Sequence, residues 1–294
     1  MPSFSFPDSG QTRQCFDRVA SRSGEDFLAR EIARRMHERL EYIRIAPTTI
    51  LDLGCGRGDD LPMLKARFAG AHCVGLDFSP SMLANAQKKL FPGFSWLERL
   101  NLKKTAYGLI AADAAAIPLR GHCVSVVWSN MLLPWVPLQP VLKEIFRVLE
   151  PGGMLMFSAL GPDTLKEMRA VFSNIDEDIG FSFPDMHDLG DILLNAGFSD
   201  PVMDMEMLNL TYSGIDHLID DLARCGLIDL ADNLPTKTGT EGLWQEIAAG
   251  YERYRADERL PLTIEILQGH AWKKTASRKS GDEPAVILFH PPRT

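Results

Sequence analysis

Asp52, the glycines Gly54, Gly56 and Gly58, and Asp77 are the residues whose types and spacing point most directly to chemistry. In TILDLGCGRG, residues 49–58, the apolar run Ile50, Leu51 and Leu53 ends in the glycine cluster, the pattern of a buried parallel strand entering a tight turn. Glycines there permit positive φ and carry no Cβ, so a ligand can lie directly against backbone N–H groups at the start of the next helix. The glycines alone would equally suit an ordinary strand-to-helix turn. CVGLDFS, residues 73–79, adds a second apolar strand ending in Asp77. An acid at the tip of the second strand of a βαβ unit is placed to accept hydrogen bonds from the two hydroxyls of a ribose. Two strand tips then converge on one nucleoside, with Cys55, Phe78 and Met82 as neighbouring wall residues.

The elements that must position these residues follow from the pattern. Asp59 to Phe68 reads as a helix with Asp59 and Asp60 in its first turn, where carboxylates favour the dipole and Pro62 is tolerated. Ser79 is a plausible N-cap and Pro80 a plausible first residue for a helix running to Leu90. The rhythm lapses between Phe91 and Tyr107, a locally basic insertion with Arg99, Lys103 and Lys104, then resumes with a strand over 107–112. Asp113, followed by Ala114, either accepts a hydrogen bond from an adenine amino group or caps the next turn.

VSVVWS, residues 124–129, is a fourth strand, and ligands in open α/β sheets sit beyond the carboxyl ends of strands. That makes Ser129, Asn130 and the segment through Trp135 candidates for ligand contact, with a buried packing corner as the alternative. Residues 141–149 form a helix, Glu150 to Gly153 break it, and 154–160 form a fifth strand. Beyond it we expect helices at 163–172, 185–196 and 215–225, strands at 202–212 and 262–273, and a mostly helical stretch over 227–259. Residues 1–12 read as frayed, residues 14–45 as one or two amphipathic helices, and the basic end of the chain as a flexible tail.

Composition narrows the class. The chain has 294 residues, 45% hydrophobic and 24% charged, an ordinary globular balance. A net charge of −8 argues against nucleic acid as a partner. The 5 cysteines are scattered without CxxC or Cys/His clustering, so no metal site is expected and reduced thiols in a cytoplasmic protein are the default. No apolar run approaches membrane-spanning length, and the first residues lack the charge and apolar pattern of a signal peptide.

Taken together, DLGCGRG from Asp52, Leu76-Asp77, Ala112-Asp113 and LEPGG from Leu149 resemble the class I S-adenosylmethionine-dependent methyltransferases. The resemblance implies a doubly wound α/β fold, mainly parallel, with seven strands in the order 3-2-1-4-5-7-6 and an antiparallel seventh. It implies S-adenosyl-L-methionine as cofactor, held by Asp52, Gly54, Cys55, Gly56, Gly58, Asp77, Phe78, Met82, Asp113, Ala114, Ser129 and Asn130. A nicotinamide enzyme is the competitor, but the G-x-G-x-G spacing departs from G-x-G-x-x-G. We expect an N-terminal helical cap (1–45), a cofactor-binding core (46–160), a C-terminal part of the sheet carrying a helical substrate lid (161–274) and a tail (275–294).

More narrowly, FDRVA from Phe16, WSNMLLPW from Trp128, FSALGPDTLKEMR from Phe157, DMHDLGDILLNAGFSDPVMDME from Asp185 and LPLTIEILQGHAWK from Leu260 resemble the biotin-pathway malonyl-[acyl-carrier protein] O-methyltransferases. The arginine-hydroxylating assembly factors of respiratory complex I resemble the same DTLKEMR and DLGDILLNAGF segments and remain an alternative, as does a small-molecule methyltransferase. The narrower resemblance implies methyl transfer to a malonyl carboxylate on an acyl carrier protein, or on coenzyme A. That acceptor is anionic near neutral pH and needs no general base. It does need a cationic or hydrogen-bonding partner, for which Arg169 is the candidate, with His187 or Tyr212 as further donors. A surface salt bridge for Arg169 and structural roles for the other two are the alternatives. Because this chain and carrier proteins are both acidic, docking would use a local basic patch: Arg18 and Arg22, the arginines at 30, 34, 35, 39 and 44, or Lys103 and Lys104. Oligomeric state is left open.

Overall fold

The structure, a computed structural model, describes residues 8–22, 24, 26–92, 107–173, 182–227 and 241–275. Among them seven strands form one sheet: β1 (Thr49–Leu53), β2 (His72–Asp77), β3 (Tyr107–Ala111), β4 (Val124–Ser129), β5 (Leu149–Leu160), β6 (Ser199–Tyr212) and β7 (Leu260–Trp272). Their order is β3-β2-β1-β4-β5-β7-β6. The first five pair in parallel, while β7 runs antiparallel to both β5 and β6. The order and the reversed last strand are those implied by the sequence resemblance.

The helices among the described residues are α1 (Ser9–Ser21), α2 (Phe27–Arg39), α3 (Asp60–Arg67), α4 (Pro80–Leu90), α5 (Leu138–Val148), α6 (Lys166–Ser173), α7 (Met186–Asn195), α8 (Ile215–Arg224) and α9 (Glu241–Glu252). Buried parallel strands carry apolar residues on both faces, so the sheet divides the interior in two. Ile50, Trp128 and Met156 face one layer with Leu28, Ile32 and Met36 of α2 and Leu61 and Leu64 of α3. Leu51, Leu53, Val127 and Leu155 face the other, with Val141, Leu142 and Ile145 of α5 and Leu189 and Leu193 of α7. A satellite cluster of Cys15, Val19 and Ala20 with Met82 fastens α1 to α4.

Local signals set several boundaries. The Ser79 hydroxyl accepts from the Met82 N–H at 3.1 Å and Pro80 opens α4, as the sequence pattern requires. The N-terminus departs from expectation, because Asp8 caps α1 by accepting from Gly10 and Gln11 N–H at 2.8 and 3.2 Å and helix begins at Ser9. Glu150 to Gly153 do end α5, yet they lie within the long β5, with Gly152 at φ 82°. The insertion at 93–106, residues 228–240 of the expected helical stretch and the tail beyond 275 lie outside the described residues. Among those described, no helix is long and apolar enough to cross a membrane.

Much of the arginine face of α2 is occupied within the molecule. Arg34 pairs with Glu31 and Glu38, Arg35 with Glu31 and Glu206, and Arg39 with Asp204, so α2 is tied to β6.

Candidate active site

One cavity of about 500 Å³ opens at the carboxyl ends of β1, β2 and β4. Its floor is the loop after β1. The N–H groups of Gly54 and Cys55 both donate to the Leu76 carbonyl, at 2.8 and 3.0 Å, which fixes the loop to the tip of β2. Gly54, at φ 77°, is also crowded: a Cβ there would come within 3.0 Å of Leu132 side-chain atoms. Gly56, at φ 51°, would point a Cβ into open space and lines the cavity with bare backbone.

Asp77 organises this loop. Its Oδ2 accepts from Gly56 N–H at 2.9 Å and its Oδ1 from Ser79 N–H at 2.8 Å. The Phe78 N–H also faces this carboxylate, whose remaining acceptor capacity borders the cavity. Burial pushes the Asp77 pKa up, against those N–H bonds.

A second pair of acids lies deeper. Asp60 Oδ2 accepts from Trp128 Nε1 at 2.7 Å and from Asn130 Nδ2 at 3.2 Å, and burial pushes its pKa to about 6. Asn130 is held on three sides, donating to the Ala29 carbonyl at 2.9 Å and accepting from Ser158 Oγ at 2.9 Å as well. Asp52, 2% exposed, has an Oδ2 without a hydrogen-bond partner. Its burial, and repulsion from Asp60, Asp77 and Asp59, raise its pKa well above the ordinary carboxylate range. A cavity bordered by Asp26, Asp52, Asp60 and Asp77 favours a cationic ligand, and an orphaned buried carboxylate oxygen calls for a donor.

The walls are aromatic and the roof is N-terminal. Phe16 of α1 makes edge contacts to Phe78 and Trp135, with ring centroids 6.4 and 5.7 Å apart, and all three line the cavity. The roof is fastened from below. Arg57, in the glycine loop, donates to the carbonyls of Gly24, Val19 and Arg22 at 2.7, 2.8 and 3.0 Å. The Ser79 hydroxyl donates to Asp17 at 2.6 Å, and Asn85 to the Ala20 carbonyl at 2.8 Å.

Of the expected cofactor residues, Asp52, Gly54, Cys55, Gly56, Asp77, Phe78, Met82, Asp113, Ala114 and Asn130 line this cavity. Asp113 already caps its turn, accepting from Ala115 N–H at 2.8 Å through one oxygen. Gly58 and Ser129 are not among the residues that line the cavity. At Gly58 a Cβ would meet Leu90 and Ala86 at 3.1 and 3.2 Å, so this glycine admits the packing of α4 and does not line the cavity. Ser129 is fully buried away from the cavity, because alternation along β4 sends it to the opposite sheet face from Trp128.

The three residues expected at the acceptor do not reach the cavity. The Arg169 guanidinium turns back to the Pro162 carbonyl. His187 stands in the first turn of α7 with its side chain 89% exposed. Tyr212 is buried at the end of β6, where burial and then the neighbouring Asp221 carboxylate raise its pKa. The cavity instead gains Asp26, Leu28, Ala29 and Arg30 from the start of α2, Arg57 and Asp60, and Arg224 and Cys225 from the end of α8. Asp60 and Phe16 stood in legible motifs; the contribution of α8 had no local signal.

Comparison with known proteins now decides the family. Residues 51–157 match the methyltransferase domain. The chain is 40% identical to the malonyl-[acyl-carrier protein] O-methyltransferase of Laribacter hongkongensis, over 97% of each chain. It is 38% identical to the enzyme of the same name from a Methylovorus species, over 97% of this chain and 95% of that one. The chain belongs to this family.

Among solved structures the [4+2]-cyclase SpnF matches with a TM-score of 0.56 and 18% identity, over 94% of this chain and 100% of that one. That likeness concerns the fold alone, and a cyclase on the same scaffold shows that the sheet does not dictate the reaction. S-adenosylmethionine is the cofactor of this methyltransferase. Its sulfonium and ammonium charges suit the acids of the cavity, and its ribose hydroxyls suit the carboxylate of Asp77.

Proposed function

We propose that this methyltransferase esterifies the free carboxylate of a malonyl group carried as a thioester on an acyl carrier protein, the step of biotin precursor synthesis that the family resemblance implies. The observation that carries the reading is the mixed lining of one cavity. It is lined by bare backbone and acids, which suit a sulfonium nucleoside, and also by the aromatic rings of Phe16 and Trp135 and the arginines Arg30 and Arg224, which suit an acyl acceptor with a free carboxylate.

S-adenosylmethionine, when bound, supplies an electrophilic methyl group on a sulfonium. Asp77 would hold the ribose, Asp52 and Asp60 with Asn130 the charged tail, Gly54 and Gly56 the close backbone approach, and Phe78, Met82, Asp113 and Ala114 the base. No histidine or lysine lines the cavity among the described residues, and a carboxylate acceptor, already ionised near neutral pH, requires no proton abstraction. The chain's contribution is alignment and exclusion of water. Held alignment is worth about 7–11 kcal/mol in well-oriented reactions.

The roof of α1 supports a carrier-borne substrate. Its inner side presents Phe16 and Val19 to the cavity while Arg13 and Arg18, and Arg22 just past its end, stand exposed, local basic residues on a chain of net charge −8. Lys103 and Lys104 lie outside the described residues. The segment between β6 and β7, which brings Arg224 and Cys225 to the cavity, would act as the substrate lid.

The test is transfer of labelled methyl from S-adenosylmethionine to malonyl-carrier protein, with malonyl-coenzyme A and acetyl-carrier protein alongside. Methyl ester should form on the malonyl carrier and none on the acetyl carrier. Tight cofactor binding without ester formation on either malonyl thioester would reject the reading.

A further inference from the structure

The cavity that suits a sulfonium is hostile to an anionic acceptor. Asp26, Asp52, Asp60 and Asp77 border it, and a carboxylate entering from water must exchange hydration for a cationic partner. Arg30, Arg57 and Arg224 are the lining cations. Arg57 is committed to the carbonyls of Gly24, Val19 and Arg22 and serves the roof. Arg30 is exposed on the first turn of α2 and is engaged in interactions of its own.

Arg224 differs from both. Its Nη1 donates to Asp221 Oδ1 at 3.0 Å, and Asp221 is its hydrogen-bonding partner among the described residues. The side chain is 42% exposed, at the rim between solvent and cavity. Its neighbour Cys225 lines the same wall and donates through Sγ to Asp26 Oδ1 at 3.4 Å, which anchors the end of α8 to the start of α2. Behind Asp221 lies the buried Tyr212 hydroxyl. One edge of a rigid five-donor guanidinium is therefore braced from the protein side, leaving donors for a two-point grip on a carboxylate.

We propose that Arg224 receives the acceptor's free carboxylate at the cavity rim and fixes it for methyl transfer, braced by Asp221 and Tyr212. This rests on the malonyl-thioester reading above. It also assigns the discrimination between a malonyl and an acetyl thioester to one side chain.

The experiment uses the full chain, wild type and with Arg224→Met or Arg224→Lys. It measures methyl ester formation on malonyl-carrier protein, inhibition by added malonyl and acetyl thioesters, and S-adenosylmethionine affinity by calorimetry. Arg224→Met should lower kcat/KM for the malonyl carrier by about 100-fold, in the range for truncating one partner of a charge pair. It should also abolish the preference of the site for malonyl over acetyl inhibitor while cofactor affinity stays within about threefold. Arg224→Lys, which keeps the charge without the fork, should recover about a tenth of the wild-type value. A thermal melt verifies folding.

Wild-type protein that esterifies no malonyl thioester overturns the functional reading, and the receptor with it. Wild-type activity matched by Arg224→Met overturns the receptor alone. So does a loss of cofactor affinity as large as the loss of kcat/KM, because the guanidinium would then be holding the cofactor's own carboxylate.

Discussion

Replacing Asp77 with asparagine tests the cofactor site most sharply. Asp77 accepts backbone N–H groups from Gly56 at 2.9 Å and from Ser79 at 2.8 Å, with the Phe78 N–H facing the same carboxylate, and it retains acceptor capacity toward the cavity. Two ribose hydroxyls would donate to that remaining capacity. Hydrogen bonds to a charged group contribute about 1.5–3 kcal/mol each. Asparagine keeps the volume but removes the charge, and it turns one oxygen into an NH2 that must face either the Gly56 or the Ser79 donor. One ribose bond is then lost and the other weakened, about 3–4 kcal/mol together. At about 1.4 kcal/mol per decade, S-adenosylmethionine should bind roughly 10²–10³-fold more weakly in calorimetry. A 2′-deoxyribose analogue should lose far less on the same substitution, which separates the hydroxyl contact from general loosening of the loop. A correctly folded Asp77→Asn protein that binds the cofactor within about threefold of wild type would refute the assignment.

Asp60 gives a pH test with a definite sign. Its folded pKa of about 6 lies above the ordinary 3.8, so the stability it contributes is complete below about pH 4 and is lost as pH rises through about 6. Asp60→Asn keeps an acceptor for Trp128 and Asn130 and should flatten this loss, gaining up to about 3 kcal/mol over wild type between pH 4 and 7.5 in urea unfolding of the cofactor-free protein. Parallel curves would contradict it. Gly56→Ala places a methyl at φ 51° with nothing within 4 Å, so it should cost only about 1–2 kcal/mol of stability yet sharply weaken cofactor binding. Gly54→Ala, crowded by Leu132 at 3.0 Å, should cost more stability; equal melting temperatures would go against that difference. Arg57→Ala removes the contacts to Gly24, Val19 and Arg22 and should make the N-terminal roof the first site of limited proteolysis, with about 1–3 kcal/mol lost. His187→Ala, at an 89% exposed side chain, should leave turnover within about twofold.

The parts of the site that were legible in the sequence share one property: each is determined over a few consecutive residues. The apolar run from Ile50 into Gly54 sets a strand and its turn, the acid at the end of Cys73 to Asp77 sets a strand tip, and Ser79-Pro80 sets a helix start. The packing of β1 beside both β2 and β4 then brings tips from distant parts of the chain into one cavity. The placement of Ser129 follows the same local logic. Period-two alternation places Trp128 and Asn130 on one face and Ser129 on the other, and the hydrogen bonds of both Trp128 and Asn130 to Asp60 follow that face.

Arg169 stands apart from the cavity for a physical reason. Arg169 follows β5, a position that looks close to the site in sequence, yet α6 packs back along β7, where Glu167 accepts from Thr263 N–H and hydroxyl at 3.0 and 2.5 Å. That pairing across 96 residues turns Arg169 toward Pro162, and nothing in DTLKEMR encodes it. Arg224 is the converse. In IDDLARCG its spacing to Asp221 reads as an ordinary surface pair, and only the antiparallel β6–β7 ribbon delivers the end of α8 to the cavity, while the pairs Arg35–Glu206 and Arg39–Asp204 bind α2 to the same ribbon. The proposed nucleoside side is thus built from adjacent parallel strands whose turns carry their own instructions. The proposed acceptor side is assembled from long-range contacts of the segment between β6 and β7, so a substitution there is expected to alter substrate choice with little effect on the cofactor.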